Sequence, residues 1–449
     1  MNPPAHPQPR WEVADIFRAQ GEEYCRRYSP SPARQKVMRH IQQCRTAALG
    51  GHREQCDQCG HQRIRYHSCR DRNCPKCQGI ARHDWLEKRL ATLLPIPYFH
   101  VVLTLPHQLN ALALGNQTLL FNLLFASAAG TLRQVAATPR HLGADIGFTA
   151  VLHSGGQNLL FHPHLHCVVT GGGLAPDGRS WIAARERFFL PIQVLSSLFR
   201  GKFLDALRQT YAAGHLKLAG STAALSQPHP WRHFLDELYQ KNWVVYAKPP
   251  FASPEFVFRY LGRYTHRVAI SNQRILTVED GQVTFTLKNY SAAGRREQMT
   301  VDAVEFIRRF LLHVLPPAFT RIRHFGLYAG RNVQTKLITA RAVLAALPSA
   351  APPPSASAVL MVLSPTTPPP SASAVLAALP PTVLPPPASP AAETDHRLWW
   401  QRLLDRTGID PLACPCCRRG RLLRCGEVPP LPCHGLGRPD AWLLSHDTS

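Results

Sequence analysis

Acidic side chains are scarce in this chain: 28 Asp and Glu stand against 51 Lys and Arg, leaving 449 residues with a net charge of +23. An excess of that size disfavours basic or cationic partners and puts a polyanion, nucleic acid first, at the head of the candidates. Long apolar runs are missing as well. The longest, around Leu119 to Leu132, is interrupted and too short to span a bilayer, and MNPPAHPQPRWEVADIFRAQ at the N-terminus lacks the apolar core of a secretory signal. These absences predict a soluble cytoplasmic protein with no membrane partner. No GxxxxGK[ST] loop occurs, so nothing in the chain is built to cradle the phosphates of ATP. Thirteen cysteines are present, but in a reducing compartment they are poor disulfide formers, and their crowding in CxxC pairs near the two ends points to metal.

The length allows two or three domains. Residues 1–95 carry the first cysteine group and are read as a helical, zinc-binding, DNA-binding domain, with residues 96–345 as a catalytic domain. From 346 to 393 the composition turns to Pro, Ala, Ser, Val and Leu. PPPSASAVL occurs at Pro352–Leu360 and again at Pro368–Leu376, a 16-residue tandem unit whose proline runs fit a disordered spacer. Residues 394–449 form a small cysteine-containing tail.

Within the middle region, strands are predicted at Tyr98–Leu105, Ile146–Leu152, Leu165–Thr170 and Val244–Ala247, and helices at Ala111–Val135 and Gln193–Ala213. Asp280-Gly281 between two alternating runs marks a hairpin. The mixture predicts an α+β fold on an antiparallel sheet with flanking helices.

Cys56, Cys59, Cys74 and Cys77 read CxxC, fourteen residues, CxxC, the spacing of a closed tetrahedral Zn²⁺ site. Cys44, His52 and Cys69 are candidates for a second zinc, with His40 or Cys25 completing it. Arg63, Arg65, Arg70, Arg72 and Lys76 surround these ligands and are candidates for gripping DNA phosphates. At the other end, Cys414 and Cys417, with Cys416 between them and Cys425 and Cys433 beyond, suggest a small metal knuckle of ambiguous register.

His162, His164 and His166 lie in FHPHLHCVV, where strand alternation puts all three rings on one face. Neighbours two apart span about 6.6–6.8 Å and can share one ion; the outer pair cannot readily do so. His164 and His166 are therefore the predicted pair, with a further ligand from His153 or Gln157, His153 being preferred. Two or three nitrogen ligands with vacant positions suit catalysis rather than structure. Tyr260 and Tyr264 follow in SPEFVFRYLGRYTHRVAIS, where Ser253 and Pro254 fit a helix start and the i, i+4 spacing puts both phenols on one face. Arg259, Arg263 and Arg267 flank them and can favour a phenolate or hold DNA.

HPHLH, then YLGRYTH downstream, with GHREQCDQCGHQRIRYHSCRDRNCPKCQ upstream, resembles the two-tyrosine HUH transposases of rolling-circle insertion sequences, the IS91 family, over roughly Tyr24 to Arg341. EFIRRFLLHVLP at Glu305–Pro316 and RIRHFGL at Arg321–Leu327 belong to the same resemblance. The resemblance implies a palm-like, HUH nuclease-like sheet carrying His164 and His166 as the metal pair, Mg²⁺ or Mn²⁺ as the ion, and Tyr260 and Tyr264 as nucleophiles. It also implies a bacterial, nucleoid-associated enzyme that cuts and rejoins single-stranded DNA through 5′-phosphotyrosine, with strand opening left to a host helicase or replication. The chain departs from the family at Ser154-Gly155, where an aromatic residue and a threonine are usual, and at Asn73, often His. Two other functions fit the residues alone: a metal-dependent nuclease that activates water, and a non-enzymatic zinc-dependent DNA-binding protein. Oligomeric state leaves no mark in the sequence.

Overall fold

The computed structural model describes residues 9–77, 79–185, 190–248, 269–289, 295–347, 400–401, 404, 408 and 410–431, the side chains of 79–83 and 289 excepted. The chain divides into two compact units. One joins residues 1–78 to 381–449, and the other comprises residues 79–380. The division between these compact units falls at 78/79, and the described residues 410–431 group with the N-terminal residues.

In the first unit, α1 (Val13–Tyr28) and α2 (Pro32–Gln43) pack antiparallel across a three-residue link. A reciprocal cap starts α1, with the Glu12 amide donating to the Asp15 carboxylate at 2.9 Å. Apolar residues recur at helical spacing and bury Val13, Ile16, Phe17 and Tyr24 of α1 and Val37, Met38 and Ile41 of α2. Beyond them, β1 (Gly51–Cys56) is the centre of a three-stranded antiparallel sheet. β2 (Gln62–Tyr66) pairs on one side and β13 (Leu422–Val428), from the far end of the chain, on the other.

The second unit is a mixed α+β domain. It opens with α3 (Gly79–Leu90), and its main sheet uses β3 (Tyr98–Thr104), β4 (Gly147–Gly155), β5 (Phe161–Thr170), β8 (Val245–Lys248) and β12 (Ile322–Gly326) in the order β12-β4-β5-β3-β8. All four pairings are antiparallel. A short hairpin of β6 (Gly172–Leu174) and β7 (Trp181–Ala183) follows β5. β9 (Ile275–Glu279), β10 (Gln282–Asn289) and β11 (Arg295–Asp302) make a separate meander turning at Asp280-Gly281, both with positive φ, and α8 (Ala303–Leu312) continues from it behind an Asp302 N-cap. α9 (Gly330–Val333) and α10 (Lys336–Ala346) end the unit's described residues.

The two faces of the main sheet have different fates. Phe99, Val101, Leu103, Phe148, Ala150, Leu152, Leu165, Cys167 and Val169 are all buried and point into one apolar core. That core is filled from α4 (Asn110–Gly115), α5 (Gln117–Ala137), α6 (Ile192–Ala212) and α7 (Pro228–Gln240) by Leu112, Phe121, Phe125, Leu132, Phe199, Phe203 and Leu235. The long helix predicted at Ala111–Val135 is broken at Asn116. Its amide nitrogen donates to Leu112 O and Lys217 O while its oxygen accepts from the Lys217 amide, so the side chain serves an adjoining segment instead of letting the helix run on. α5 is 21 residues long and, by length and composition only, apolar enough to cross a membrane. Its most apolar stretch is 61% buried in the domain, as expected of a core helix. The apolar run judged too short in the sequence is thus part of a longer helix.

The loop joining β4 to β5 is pinned from outside. Arg309 donates to Asn158 O at 3.2 Å, Arg274 to Gln157 O at 2.6 Å, and the buried His313 bridges Ser154 Oγ (3.1 Å) and Leu159 O (3.0 Å). Gly155 makes room for that ring: a Cβ there would lie 2.8 Å from His313 Nε2 and 2.9 Å from Nδ1. Gly155→Ala should therefore cost about 1–3 kcal/mol through overpacking, read as a lower urea midpoint at unchanged slope. An unchanged midpoint would show that His313 does not seat against this position.

Candidate active site

Side chains of β5 alternate in direction, so turning Leu165 and Cys167 into the core turns His164 and His166 to the other face. Register completes the cluster. His153 of β4 sits directly opposite His164, and Val102 and Val151 flank His166 on its two sides. Ring nitrogens of His153, His164 and His166 all lie within 4.8 Å of one another, with the His153 and His166 ring centres 4.3 Å apart. His162, exposed near the start of β5, is outside this group. Gln157 has its backbone in the pinned loop.

A hydrogen bond to a carbonyl sets the tautomer of His164. His164 Nδ1 lies 2.7 Å from the His162 carbonyl, which can only accept, so this nitrogen carries the proton and Nε2 presents its lone pair. His166 Nδ1 lies 2.7 Å from His100 Nε2, and the two rings stack with centres 5.0 Å apart. When His166 donates in that contact, its Nε2 is also a lone pair, and the two Nε2 atoms face each other at 3.1 Å. In that tautomer two lone pairs converge beside a third imidazole, an arrangement that a cation between them would stabilise. The donor set fits a divalent transition ion well and magnesium less naturally.

Electrostatics agree. Burial pushes His164 down to about 4, further lowered by His162 although the bond to the His162 carbonyl raises it. Burial likewise lowers His153 and His166 well below the usual value, with the neighbouring imidazoles adding to the shift. His100 falls to about 4, from burial first and then the charge of Lys248. Neutral rings are what ligation requires. His100 was not singled out in the sequence; its place in YFHVVLTL, one strand over, was the available signal. Tyr260, Tyr264, Arg259, Arg263 and Arg267 lie outside the described residues.

In the N-terminal unit the cysteines assemble differently from their spacing. The set Cys56, Cys59, Cys74 and Cys77 is divided. Cys74 and Cys77 join Cys44 and Cys69, their sulfurs mutually within 4.8 Å, with Cys44–Cys77 at 3.3 Å and Cys69–Cys77 at 3.5 Å. Cys56 and Cys59 lie instead beside Cys414 and Cys417. The reason is β1: it carries Cys56 away along the sheet, while Cys44 at the C-terminus of α2 meets the loop that holds Cys69 to Cys77. That loop is organised by Asp71, which accepts from the Asn73 amide at 2.8 Å and contacts His40 Nδ1 at 2.8 Å. His52 pairs with Glu54 at 3.0 Å and joins neither cysteine group, and neither His40 nor Cys25 supplies a ligand atom to them.

The expected phosphate-binding cations also divide. Glu54, only 4% exposed, contacts Arg63 at 2.7 Å and Arg65 at 3.5 Å; burial pushes its carboxyl up, but Arg63, His52 and Arg65 outweigh that and hold it below the usual range. Lys76 pairs with Glu12 at 2.5 Å. Arg70 and Arg72 are exposed, as is Arg53.

The buried imidazoles set a pH dependence. In the folded state His100, His164, His313 and His324 are held near 4 by burial, against about 6.5 unfolded. Below about pH 6.5 the unfolded chain takes up protons that the folded chain refuses, so stability is full above that pH and falls steadily toward pH 4. Urea midpoints measured with chelator present should show this slope. His324→Gln should flatten it by up to one proton's worth, because burial first, and then Arg89 beside His324 Nε2 at 3.3 Å, disfavours the charged ring. A profile flat from pH 7 to 4.5 would contradict the burial of these rings.

Comparison with known proteins gives concordant results. A family model described as "Putative transposase" matches residues 147–336, and one described as "Transposase zinc-binding domain" matches residues 16–105. A Sinorhizobium fredii protein named "Putative transposase y4qJ" is 56% identical over 334 residues, 74% of this chain and 84% of its own length. The "Transposase for insertion sequence element IS801" of Pseudomonas savastanoi pv. phaseolicola is 27% identical over 298 residues, 64% of this chain and 68% of its own. No solved structure matches significantly. With two half-buried imidazoles on one strand, a third facing them from the next, and a cysteine-bound N-terminal unit preceding the sheet, the chain belongs to the transposases of IS91-family insertion sequences and carries their zinc-binding domain.

Proposed function

We propose that this transposase cleaves and transfers single-stranded DNA by the two-tyrosine HUH route of rolling-circle transposition. The observation that carries the reading is the convergence of His153, His164 and His166 within 4.8 Å on the sheet face turned away from the core. A divalent cation bound there, Mn²⁺ or Mg²⁺, would supply Lewis-acid polarisation of a phosphate oxygen. The chain's own residues do the remaining work. The pleat of β5 holds His164 and His166 side by side, His153 adds a third imidazole from the paired strand, and His100 orients His166 through its Nδ1. Burial keeps all four rings neutral at physiological pH.

Tyr260 or Tyr264 is the nucleophile in this reading. As the phenol attacks, a tyrosyl O–P bond forms and the bond to the 3′ oxygen breaks; the leaving oxygen takes up a proton and becomes a free 3′-hydroxyl. One phosphodiester replaces another, so a 3′-hydroxyl can reverse the step without ATP. The second tyrosine lets another strand be captured while the first is held. Arg259, Arg263 and Arg267 would steady the phosphates beside the tyrosines, and Arg70 and Arg72 those at the zinc-binding unit. Single-stranded substrate would come from a host helicase or replication, which places the enzyme in the cytoplasm at the nucleoid.

Labelled single-stranded oligonucleotide carrying an element end, incubated with protein and Mn²⁺ and then denatured, should run as a protein-sized labelled species. Tyr260→Phe combined with Tyr264→Phe, or His164→Ala with His166→Ala, should abolish it. Cleavage without adduct would instead indicate a water-activating nuclease, and binding without cleavage a non-enzymatic DNA-binding protein. Separately, His100→Ala should weaken Mn²⁺ binding about 10–100-fold in calorimetry, with partial rescue by His100→Gln. Unchanged affinity would remove His100 from the site.

A further inference from the structure

We propose that Cys56, Cys59, Cys414 and Cys417 form a second structural zinc site that ties the C-terminal segment into the N-terminal unit. The zinc-binding family match ends at residue 105, so half of these ligands lie far outside it. The four sulfurs lie mutually within 4.8 Å, with Cys56–Cys417 at 3.7 Å and Cys59–Cys414 at 3.6 Å. A Zn–S length of about 2.3 Å gives tetrahedral S···S edges of about 3.8 Å, whereas a disulfide would need about 2.05 Å.

Both pairs sit on CxxC turns whose backbone amides donate to sulfur. Gln58 and Cys59 donate to Cys56 Sγ at 3.4 and 3.5 Å, and Gly420 donates to Cys417 Sγ at 3.4 Å. Such donors stabilise thiolates, the form a metal binds. The ambiguous CPCC register is thereby resolved: Cys414 and Cys417 turn inward while Cys416 is exposed and outside the group. Gly420 lets the two turns approach. A Cβ there would strike Cys56 Sγ and come within 2.6 Å of Asp57 Oδ1 and 2.8 Å of Gln58 Cβ.

The backbone brings the turns together through β13 on β1, Cys56 opposite Leu422, and through reciprocal bonds between Asp57 and Arg421. Among the described residues, little apolar surface supports those pairings. Among the described residues the buried cluster at this point is Cys56, Cys414 and Leu422, with Cys417 packed against it. Where the described residues bury so little apolar surface, four converging sulfurs provide a staple. Cys59 is itself exposed, which is uncharacteristic of cysteines that merely fill a core.

Full-length protein loaded with Co²⁺ reports thiolate ligation through its charge-transfer absorption, which imidazole sites do not contribute. Cys414→Ser with Cys417→Ser should lose about half of that band and about one equivalent of zinc by elemental analysis, as should Cys69→Ser with Cys74→Ser; all four changes together should remove the band. To guard against misfolding of the variants, a specific protease sequence inserted between Pro370 and Ser371 of otherwise unaltered protein should give fragments that co-elute until a zinc chelator is added. An intact cobalt band in the Cys414 and Cys417 variant, fragments that separate without chelator or stay together with it, or a disulfide mapped to either CxxC turn would overturn the proposal.

Discussion

Strand β5 can turn only every second side chain into the core beneath the sheet, and the candidate catalytic site depends on that limit. Leu165, Cys167 and Val169 go into the core shared with α5 and α6, so His164 and His166 have no choice of face. A slip of one residue would exchange the two sets and place imidazoles among Phe121, Phe125 and Phe199. Core packing therefore specifies register, and register in turn brings His153 opposite His164. The pinned β4–β5 loop adds a second restraint at the end of the hairpin where the cluster lies, because Arg274, Arg309 and His313 fix its carbonyls.

What the sequence made legible follows from the range of the signal. Alternation in FHPHLHCVV and YFHVVLTL is local, and β3 and β5 appear where that pattern puts them, as does the Asp280-Gly281 hairpin. The HLH pair was readable for the same reason. His100 was not, since its importance comes from lying diagonally across a strand pair from His166, which no window of sequence displays. Asn116 breaks a helix by bonding to Lys217, about a hundred positions later, and helical periodicity cannot register such a partner.

The cysteines show the same limit more sharply. CxxC spacing identified each turn as ligand-forming, but spacing cannot say which turns share an ion. Nearness along the chain favoured Cys56 and Cys59 with Cys74 and Cys77, whereas β1 directs Cys56 toward a partner 361 positions away. Loop-closure entropy grows only with the logarithm of length, so a distant partner costs little more than a near one once strand pairing and a bound ion can offset it. The Pro-rich repeat between Cys77 and Cys414 lies outside the described residues.

Donor chemistry divides the labour among these sites. Four thiolates close a tetrahedron around soft-accepting zinc and leave no position for substrate, so each cysteine group can stabilise a fold but cannot activate a phosphate. Three imidazoles leave coordination positions vacant, and carrying no charge of their own they leave the ion's full positive charge for an incoming phosphodiester. In a chain with a net charge of +23, the polyanion is drawn to much of the surface without regard to position. In the proposed mechanism, the half-buried His153, His164 and His166 cluster would supply what general attraction cannot, a fixed point at which one particular phosphate is distinguished from its neighbours.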